Sequence, residues 1–224
     1  MKNLSVEKRF SLALKIVAFV SAILGTILSA YAGRDSFMGG KSVFMYFTIQ
    51  SNICLAVICA AEFAFILRSA VLSDLWYLVK FTGTVSITLT GVVFCFVLAS
   101  TMKADAWNVQ NILTHVVVPV VCIADFFVIA AESQLKKRHV FFVIIPPVVY
   151  AIYAGIGFAC NWQFAENINY PYFFLNWGSP AGAFGFSSQL PFMGCVWWIL
   201  TLLLFLIGVG LTYLGLLDLL RRKK

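Results

Sequence analysis

Residues 46–67 read YFTIQSNICLAVICAAEFAFIL, an apolar stretch that begins with a cluster of hydrogen-bonding side chains. About 20 apolar residues in a helix are enough to cross a bilayer. The chain contains six such stretches, and the predicted spans lie near 12–32, 43–67, 76–100, 108–131, 140–160 and 192–219. Continuous apolar runs of this length are typical of helices, because a spanning barrel needs short alternating strands.

Composition supports the same fold class. The 224-residue chain is 62% hydrophobic and 11% charged, and the charged share is less than half of the roughly 25% that is usual in soluble domains. The six spans use most of the chain, so no soluble domain of useful size remains. We therefore predict an all-α membrane protein in which residues 1–224 form a single domain, a bundle of six transmembrane helices.

The net charge of +7 is distributed unevenly. Most basic residues fall before or at the start of the first span, around the second and fourth loops, or at the C-terminus: Lys2, Lys8, Arg9, Lys15, Arg68, Lys80, Lys136, Lys137, Arg138, Arg221, Arg222, Lys223 and Lys224. Only Arg34, Lys41 and Lys103 fall on the other side. The positive-inside rule then predicts that both termini are cytoplasmic. The expected partner is the lipid bilayer, in a microbe that of the cell membrane, and not a nucleic acid.

Metal and cofactor motifs are not found in the sequence. The six cysteines are scattered without a CxxC pair, and there is no HExxH, GxSxG or phosphate-loop motif. We therefore expect no cofactor and no metal. Cys160 and Cys195 both lie near the outer ends of their spans, so the sequence does not decide whether they form a disulfide.

Span two carries its polar residues on one face. These residues are Thr48, Ser51, Asn52, Cys59 and Glu62. Their offsets of 3, 4, 11 and 14 from Thr48 fall on one stripe at about 100° per residue. Intramembrane polar groups are costly and usually face the bundle interior, so this stripe is a candidate functional surface.

Span four has a matching stripe. It consists of Asn108, Asn111, His115, Pro119 and Cys122. At 1.5 Å per residue, Thr48 and His115 lie roughly 8 and 10 Å inside the outer ends of their spans, so the two can meet. A hydroxyl and an imidazole at similar depth suggest a nucleophile and its base. Asn111, one turn above His115 on the same face, is placed to orient the imidazole.

Simpler interpretations stand beside this one. A membrane threonine often bonds only to its own helix, and a lone histidine often joins two helices by packing. Glu62 and Asp125 lie near the cytoplasmic ends of their spans. Their presence keeps an alternative function in consideration, a small-solute or proton-coupled transporter that uses the polar stripes. Asp125 is too far below His115 to orient it, and it is expected to pair with a base such as Lys80 or to reach interfacial water.

Three motifs, YFTIQSN (46–52), ILTHVVVP (112–119) and YPYFF (170–174), resemble the androgen-induced gene 1 / FAR-17a family, in its microbial-type branch. The resemblance extends over the six-span layout. It implies an intramembrane threonine hydrolase that cleaves lipid esters, such as fatty acid esters of hydroxy fatty acids, with Thr48 as nucleophile and His115 as base. In that mechanism Asn52, Ser51 or a threonine of span three would hold the oxyanion. Asn111 would fix the tautomer of His115, and the loop with Tyr170, Pro171 and Tyr172 would cover the site and admit water.

Overall fold

The computed structural model describes residues 4–32, 40–102 and 106–222. Its long helices are α1 (Val6–Ala32), α2 (Phe47–Leu67), α3 (Asp74–Leu98), α4 (Val109–Glu132), α5 (Lys137–Ala159) and α6 (Cys195–Arg221). All six are long and apolar enough to cross a membrane, which confirms the predicted fold class. The described residues contain no β-strand, only two isolated bridges in the α5–α6 loop. The predictions for Lys2, Arg34, Lys103, Lys223 and Lys224 lie outside the described residues.

Both described chain ends lie at one end of the bundle, since Val6 and Leu220 border the same groove. We call this the terminus end and the opposite one the Thr48 end. Helix α1 begins at Val6, earlier than the predicted residue 12, because an exposed helix end can continue through polar residues that the hydropathy pattern excludes. Helix α2 begins at Phe47, later than the predicted residue 43, because Gly40–Met45 form a 3-10 helix. Thr48 therefore lies in the first turn of α2.

Prolines interrupt two of the helices. In α4, residues Leu113–Val117 form a π-helical turn between two α-helical segments. Pro119 follows this turn, and its missing N–H leaves the carbonyl of His115 without its usual α-helical partner. Helix α5 starts with the 3-10 segment Lys137–Ile144, because the prolines at 146 and 147 cannot donate to carbonyls four residues earlier.

Helix α3 is the most buried of the six spans and separates two apolar clusters. One cluster joins α3 to α4, α5 and α6 and includes Phe81, Phe126 and Leu206. The other joins α1, α2, α3 and α4 and includes Leu55 and Ile87. Because α3 contacts both clusters, it is the element against which α2 and α4 are aligned.

Four charged side chains are buried together between helices α1, α2, α3 and α4, toward the terminus end. Lys15 Nζ lies 2.7 Å from Asp125 Oδ1 and 3.0 Å from Glu62 Oε2. Lys80 Nζ lies 2.5 Å from Glu62 Oε2 and also pairs with Asp125, as expected from the sequence. We call these four residues the charge quartet. Lys15 and Lys80, which lie near the starts of their spans in the sequence, are both buried and neutralised by the two carboxylates.

Neutral donors complete the charge quartet. Ser11 Oγ donates to Asp125 Oδ1 at 2.5 Å, and Trp76 Nε1 donates to Glu62 Oε1 at 3.1 Å. Buried charges are tolerated only when they are paired and hydrogen-bonded. The quartet meets this condition and links four helices that the chain supplies at widely separated positions.

Candidate functional site

Thr48 lies where the first turn of α2 meets the α5–α6 loop. Its Oγ1 and its main-chain N both lie 3.4 Å from the phenol oxygen of Tyr172. The N–H belongs to the first helical turn, where no carbonyl of α2 is available to accept it. Thr48 therefore presents a hydroxyl and a main-chain N–H to the same place.

A cavity opens beside Thr48, with about 600 Å³ of empty space when its open mouth is included. Side chains of α3, α5, α6 and the α5–α6 loop line it, and its lining is almost entirely apolar. The polar side chains on its wall are the hydroxyls of Thr48, Thr90, Tyr150 and Tyr172. The space is therefore suited to a hydrocarbon chain with a single polar group directed at Thr48.

Asn52 joins the turn of Thr48 to the turn of His115. Its Nδ2 donates to the carbonyl of Thr48 at 2.8 Å and to the carbonyl of Thr114 at 3.1 Å. An amide nitrogen has only two hydrogens, so both are used. Its Oδ1, a pure acceptor, is buried without a partner. Of the two roles expected for Asn52, these contacts favour orientation.

The hydroxyl of Ser51 likewise makes its hydrogen bonds inside the bundle. Its Oγ donates to the carbonyl of Thr48 at 3.0 Å and lies 2.9 Å from Thr90 Oγ1 of α3. Through this pair the first turn of α2 is held against α3. Ser51 thus also has an orienting role.

The hydrogen bonds of His115 determine its tautomer. Its Nδ1 lies 3.0 Å from both the carbonyl of Asn111 and the hydroxyl of Thr114. A carbonyl only accepts, so Nδ1 carries the hydrogen; the hydroxyl hydrogen of Thr114 is directed to Gln110 O at 2.9 Å. Nε2 is then left with a free lone pair, as a general base requires.

The imidazole ring is also fixed by stacking. It lies on Phe94 with 3.9 Å between the ring centroids. Phe94 begins a π-helical turn, Phe94–Leu98, at the end of α3, so two π-helical turns meet at His115. Such turns are rare and occur frequently at functional sites. Neither the stacking partner nor the π-helical turns were predicted from the sequence.

Asn111 contributes through its main chain. Its side-chain amide donates to Ala106 O at 2.9 Å, away from the imidazole. The contact expected between Asn111 and the imidazole is made by the main-chain carbonyl of Asn111. Asn108, expected on the polar stripe, caps the helix by accepting from Asn111 N at 3.0 Å.

Two glycines let the neighbouring helices approach the π-helical turn of α4. A Cβ at Gly25 of α1 would lie 2.6 Å from Thr114 Cγ2. A Cβ at Gly91 of α3 would lie 2.8 Å from His115 O and 3.2 Å from Pro119 Cγ. Small residues at such contacts let membrane helices pack closely.

Gly91→Ala is expected to destabilise the protein by about 1–3 kcal/mol, because the added methyl group must push α4 away from α3. Gly208→Ala is the matched control, since a Cβ at Gly208 meets no atom within 4 Å. The control should be neutral or slightly stabilising, because alanine is the better helix former. Thermal unfolding of the purified proteins in detergent measures both changes. Equal melting temperatures for the two variants would contradict the close approach at Gly91.

Thr48 and His115 lie near each other but are not in direct contact. Within the described part of the chain no hydrogen bond joins Thr48 Oγ1 to His115, and the cavity lining includes the threonine without the histidine. Thr48 Oγ1 instead contacts the hydroxyl of Tyr172. The YPYFF motif drew attention to this loop, but no spacing in the sequence places its phenol at Thr48.

The remaining predictions concern metals and disulfides. Among the described residues, no group of three or more His, Cys, Asp or Glu side chains is arranged to hold a metal ion. Cys160 and Cys195 are both free thiols. Comparisons with protein-family models, curated proteins and solved structures find no match to this chain, so the resemblance to the androgen-induced gene 1 / FAR-17a family stays a prediction from its three motifs.

Proposed function

We propose that the protein is an intramembrane esterase that hydrolyses lipid esters, with Thr48 as the nucleophile and His115 as the general base. The observation that carries this proposal is the double hydrogen bond of Asn52, which holds the turn of Thr48 beside the turn of His115. The tautomer of His115 agrees with it, because Nδ1 is bonded and Nε2 is the basic atom. The positive-inside rule places the Thr48 end on the outer side of the membrane.

The reaction proceeds in two steps through an acyl-enzyme. His115 Nε2 takes the proton of Thr48 Oγ1 while this oxygen attacks the ester carbonyl carbon. The tetrahedral intermediate collapses, the C–O bond to the alcohol breaks, and His115 returns the proton to the leaving alkoxide. A water molecule, deprotonated by His115, then attacks the acyl carbon of the acyl-Thr48 ester. The bond from this carbon to Thr48 Oγ1 breaks, His115 returns the proton to Thr48 Oγ1, and the fatty acid is released. Catalytic hydrogen bonds that are long in a free enzyme tighten in the substrate complex.

The cavity suggests the substrate class. Its apolar wall suits one acyl chain of a membrane lipid, and its hydroxyls are grouped near Thr48. Fatty acid esters of hydroxy fatty acids, or lipids of similar form, have a hydrocarbon chain on either side of the ester. The wall reaches α5 and α6, so we place the entry path for this chain between these two helices.

The alternative is a small-solute or proton-coupled transporter, which would use Glu62 and Asp125. Both carboxylates are fully buried and held by Lys15 and Lys80. Neither lines the cavity beside Thr48. The contacts of these carboxylates favour a structural role over a proton path, which supports the esterase.

Labelling with a fluorophosphonate tests the proposal. The purified wild-type protein should be labelled on Thr48 and should release fatty acid from lipid esters. Thr48→Ala should abolish both the labelling and the release of fatty acid. Thr48→Ser should retain part of both because it keeps a hydroxyl. Gln50→Ala is the matched control, since Gln50 lies two residues away and donates to Phe44 O at 3.1 Å.

Three results would contradict the esterase. Wild-type protein that is neither labelled nor active on any lipid ester would rule it out. Solute uptake that is coupled to protons and lost in Glu62→Gln would favour the transporter. Unchanged lipid composition in cells carrying Thr48→Ala would indicate a scaffold without catalytic activity.

A further inference from the structure

Ester hydrolysis requires donors for the developing oxyanion, and most donors near Thr48 are already used. Ser51 donates to the carbonyl of Thr48, and Asn52 donates to two carbonyls. Thr90 Oγ1 lies 2.9 Å from Ser51 Oγ and 3.4 Å from Ser86 O, so its single hydrogen has acceptors within the bundle. These residues hold helices together and have no free hydrogen for a substrate.

The hydroxyl of Tyr172 differs from these donors because it faces the cavity. Its phenol lines the cavity together with Thr48, and its oxygen lies 3.4 Å from both Thr48 Oγ1 and Thr48 N. Ordinary O–H···O bonds are about 2.5–3.0 Å long, so the hydroxyl contact is loose. The neighbouring Tyr150 donates its own hydrogen to Met45 O at 3.1 Å. Among the described residues, no hydrogen bond of ordinary length fixes the Tyr172 hydrogen, so this hydrogen is available for an acceptor in the cavity.

The ring of Tyr172 is held firmly. It stacks on Phe174 with 5.1 Å between centroids and 7° between planes, and it meets the edge of Tyr46 at 5.8 Å. Burial raises the pKa of the Tyr172 phenol, and the hydrogen bonds from Thr48 oppose this only in part. The phenol thus keeps its hydrogen at neutral pH and acts as a donor, not as a base.

The main-chain N–H of Thr48 is the second available donor. It lies at the positive end of the dipole of α2, where developing negative charge is stabilised. Preorganised donors of this kind in a water-poor site are usually the largest single contribution to catalysis of acyl transfer. The phenol oxygen that now receives this N–H would be replaced there by the oxygen of the substrate.

We infer that the hydroxyl of Tyr172 and the main-chain N–H of Thr48 form the oxyanion hole of the proposed esterase. This inference rests on the proposed function. The carbonyl oxygen of the ester binds between the two donors, and the attack of Thr48 Oγ1 turns it into the oxyanion. Tyr172 is then a catalytic residue, although it lies 124 positions from the nucleophile in the chain.

Tyr172→Phe tests this role, because it keeps the stacked ring and removes only the hydroxyl. We expect kcat to fall about 10²- to 10³-fold with little change in KM. The matched control is Tyr170→Phe, which makes the same change in the same motif at a half-buried residue outside the cavity lining. Its kcat should stay at the wild-type value.

A second measurement separates oxyanion binding from mere positioning. A thionoester carries sulfur in place of the carbonyl oxygen, and sulfur is a weak hydrogen-bond acceptor. Wild type should hydrolyse the ester much faster than the matching thionoester, and Tyr172→Phe should reduce this ratio at least tenfold. Equal losses on both substrates, or a wild-type kcat in a folded Tyr172→Phe variant, would overturn the inference. An inactive wild type would instead overturn the proposed function itself.

Discussion

His115→Asn is expected to lower kcat about 10²- to 10⁴-fold, the usual contribution of a general base. The amide nitrogen of asparagine can take the place of Nδ1 and still donate to the carbonyl of Asn111, which is 3.0 Å away in the wild type. The fold around the π-helical turn should therefore persist. What is lost is Nε2, the basic atom that takes the proton of Thr48.

The control for this variant is the same substitution at the second histidine. His139 lies near the start of α5, and its Nδ1 accepts from Lys136 N at 3.1 Å. His139→Asn should keep the wild-type kcat and the wild-type rate of fluorophosphonate labelling. Steady-state hydrolysis of a lipid ester and thermal unfolding of each variant measure activity and folding separately. A folded His115→Asn protein with the wild-type kcat would show that another group is the base.

Lys80→Met is expected to destabilise the protein by about 3–5 kcal/mol, the usual cost of breaking a buried ion pair from one side. The substitution removes one of the two lysines that Glu62 and Asp125 share and leaves a net negative charge in a buried position. Lys15 alone then faces two carboxylates. Lys137→Met is the control, because that lysine is exposed and surface changes are usually within about 0.5 kcal/mol.

A double variant tests whether the stability lost in Lys80→Met comes from the excess negative charge of the carboxylates. Lys80→Met with Glu62→Gln leaves the pair of Lys15 and Asp125, whose closest atoms are 2.7 Å apart, and keeps an acceptor for Trp76. It should be more stable than Lys80→Met alone, as measured by thermal unfolding in detergent. If Lys80→Met melts at the temperature of Lys137→Met, the quartet does not hold the four helices together.

The inward position of His115 and Glu62 could be predicted from the sequence. The period of an α-helix is a local property, so the stripes of Thr48, Asn52 and Glu62 on α2 and of His115 on α4 follow from spacing alone. The structure buries Asn52, Glu62 and His115 and leaves Thr48 half-buried at the cavity. The pairing of Lys80 with Asp125 was also expected, because a buried carboxylate needs a cation.

Local irregularities were harder to predict. The 3-10 helix Gly40–Met45 moves Thr48 into the first turn of α2, and two π-helical turns bring His115 onto Phe94. Hydropathy records where a segment is apolar and carries little information on how its carbonyls are bonded. Pro119 was visible in the sequence, but a proline can end, kink or widen a helix, and packing against Gly91 selects among these.

The sequence by itself determined the number of spans, their approximate limits and the inward faces of α2 and α4, because these depend on hydrophobicity and helical period. Only the tertiary structure decided which inward-facing groups bond to each other. Lys15 meets Asp125 across 110 positions, and Thr48 meets Tyr172 across 124. Such contacts depend on the rotation and depth of several helices at once. A hydroxyl or amide has several possible partners, and the packed bundle leaves it only one or two.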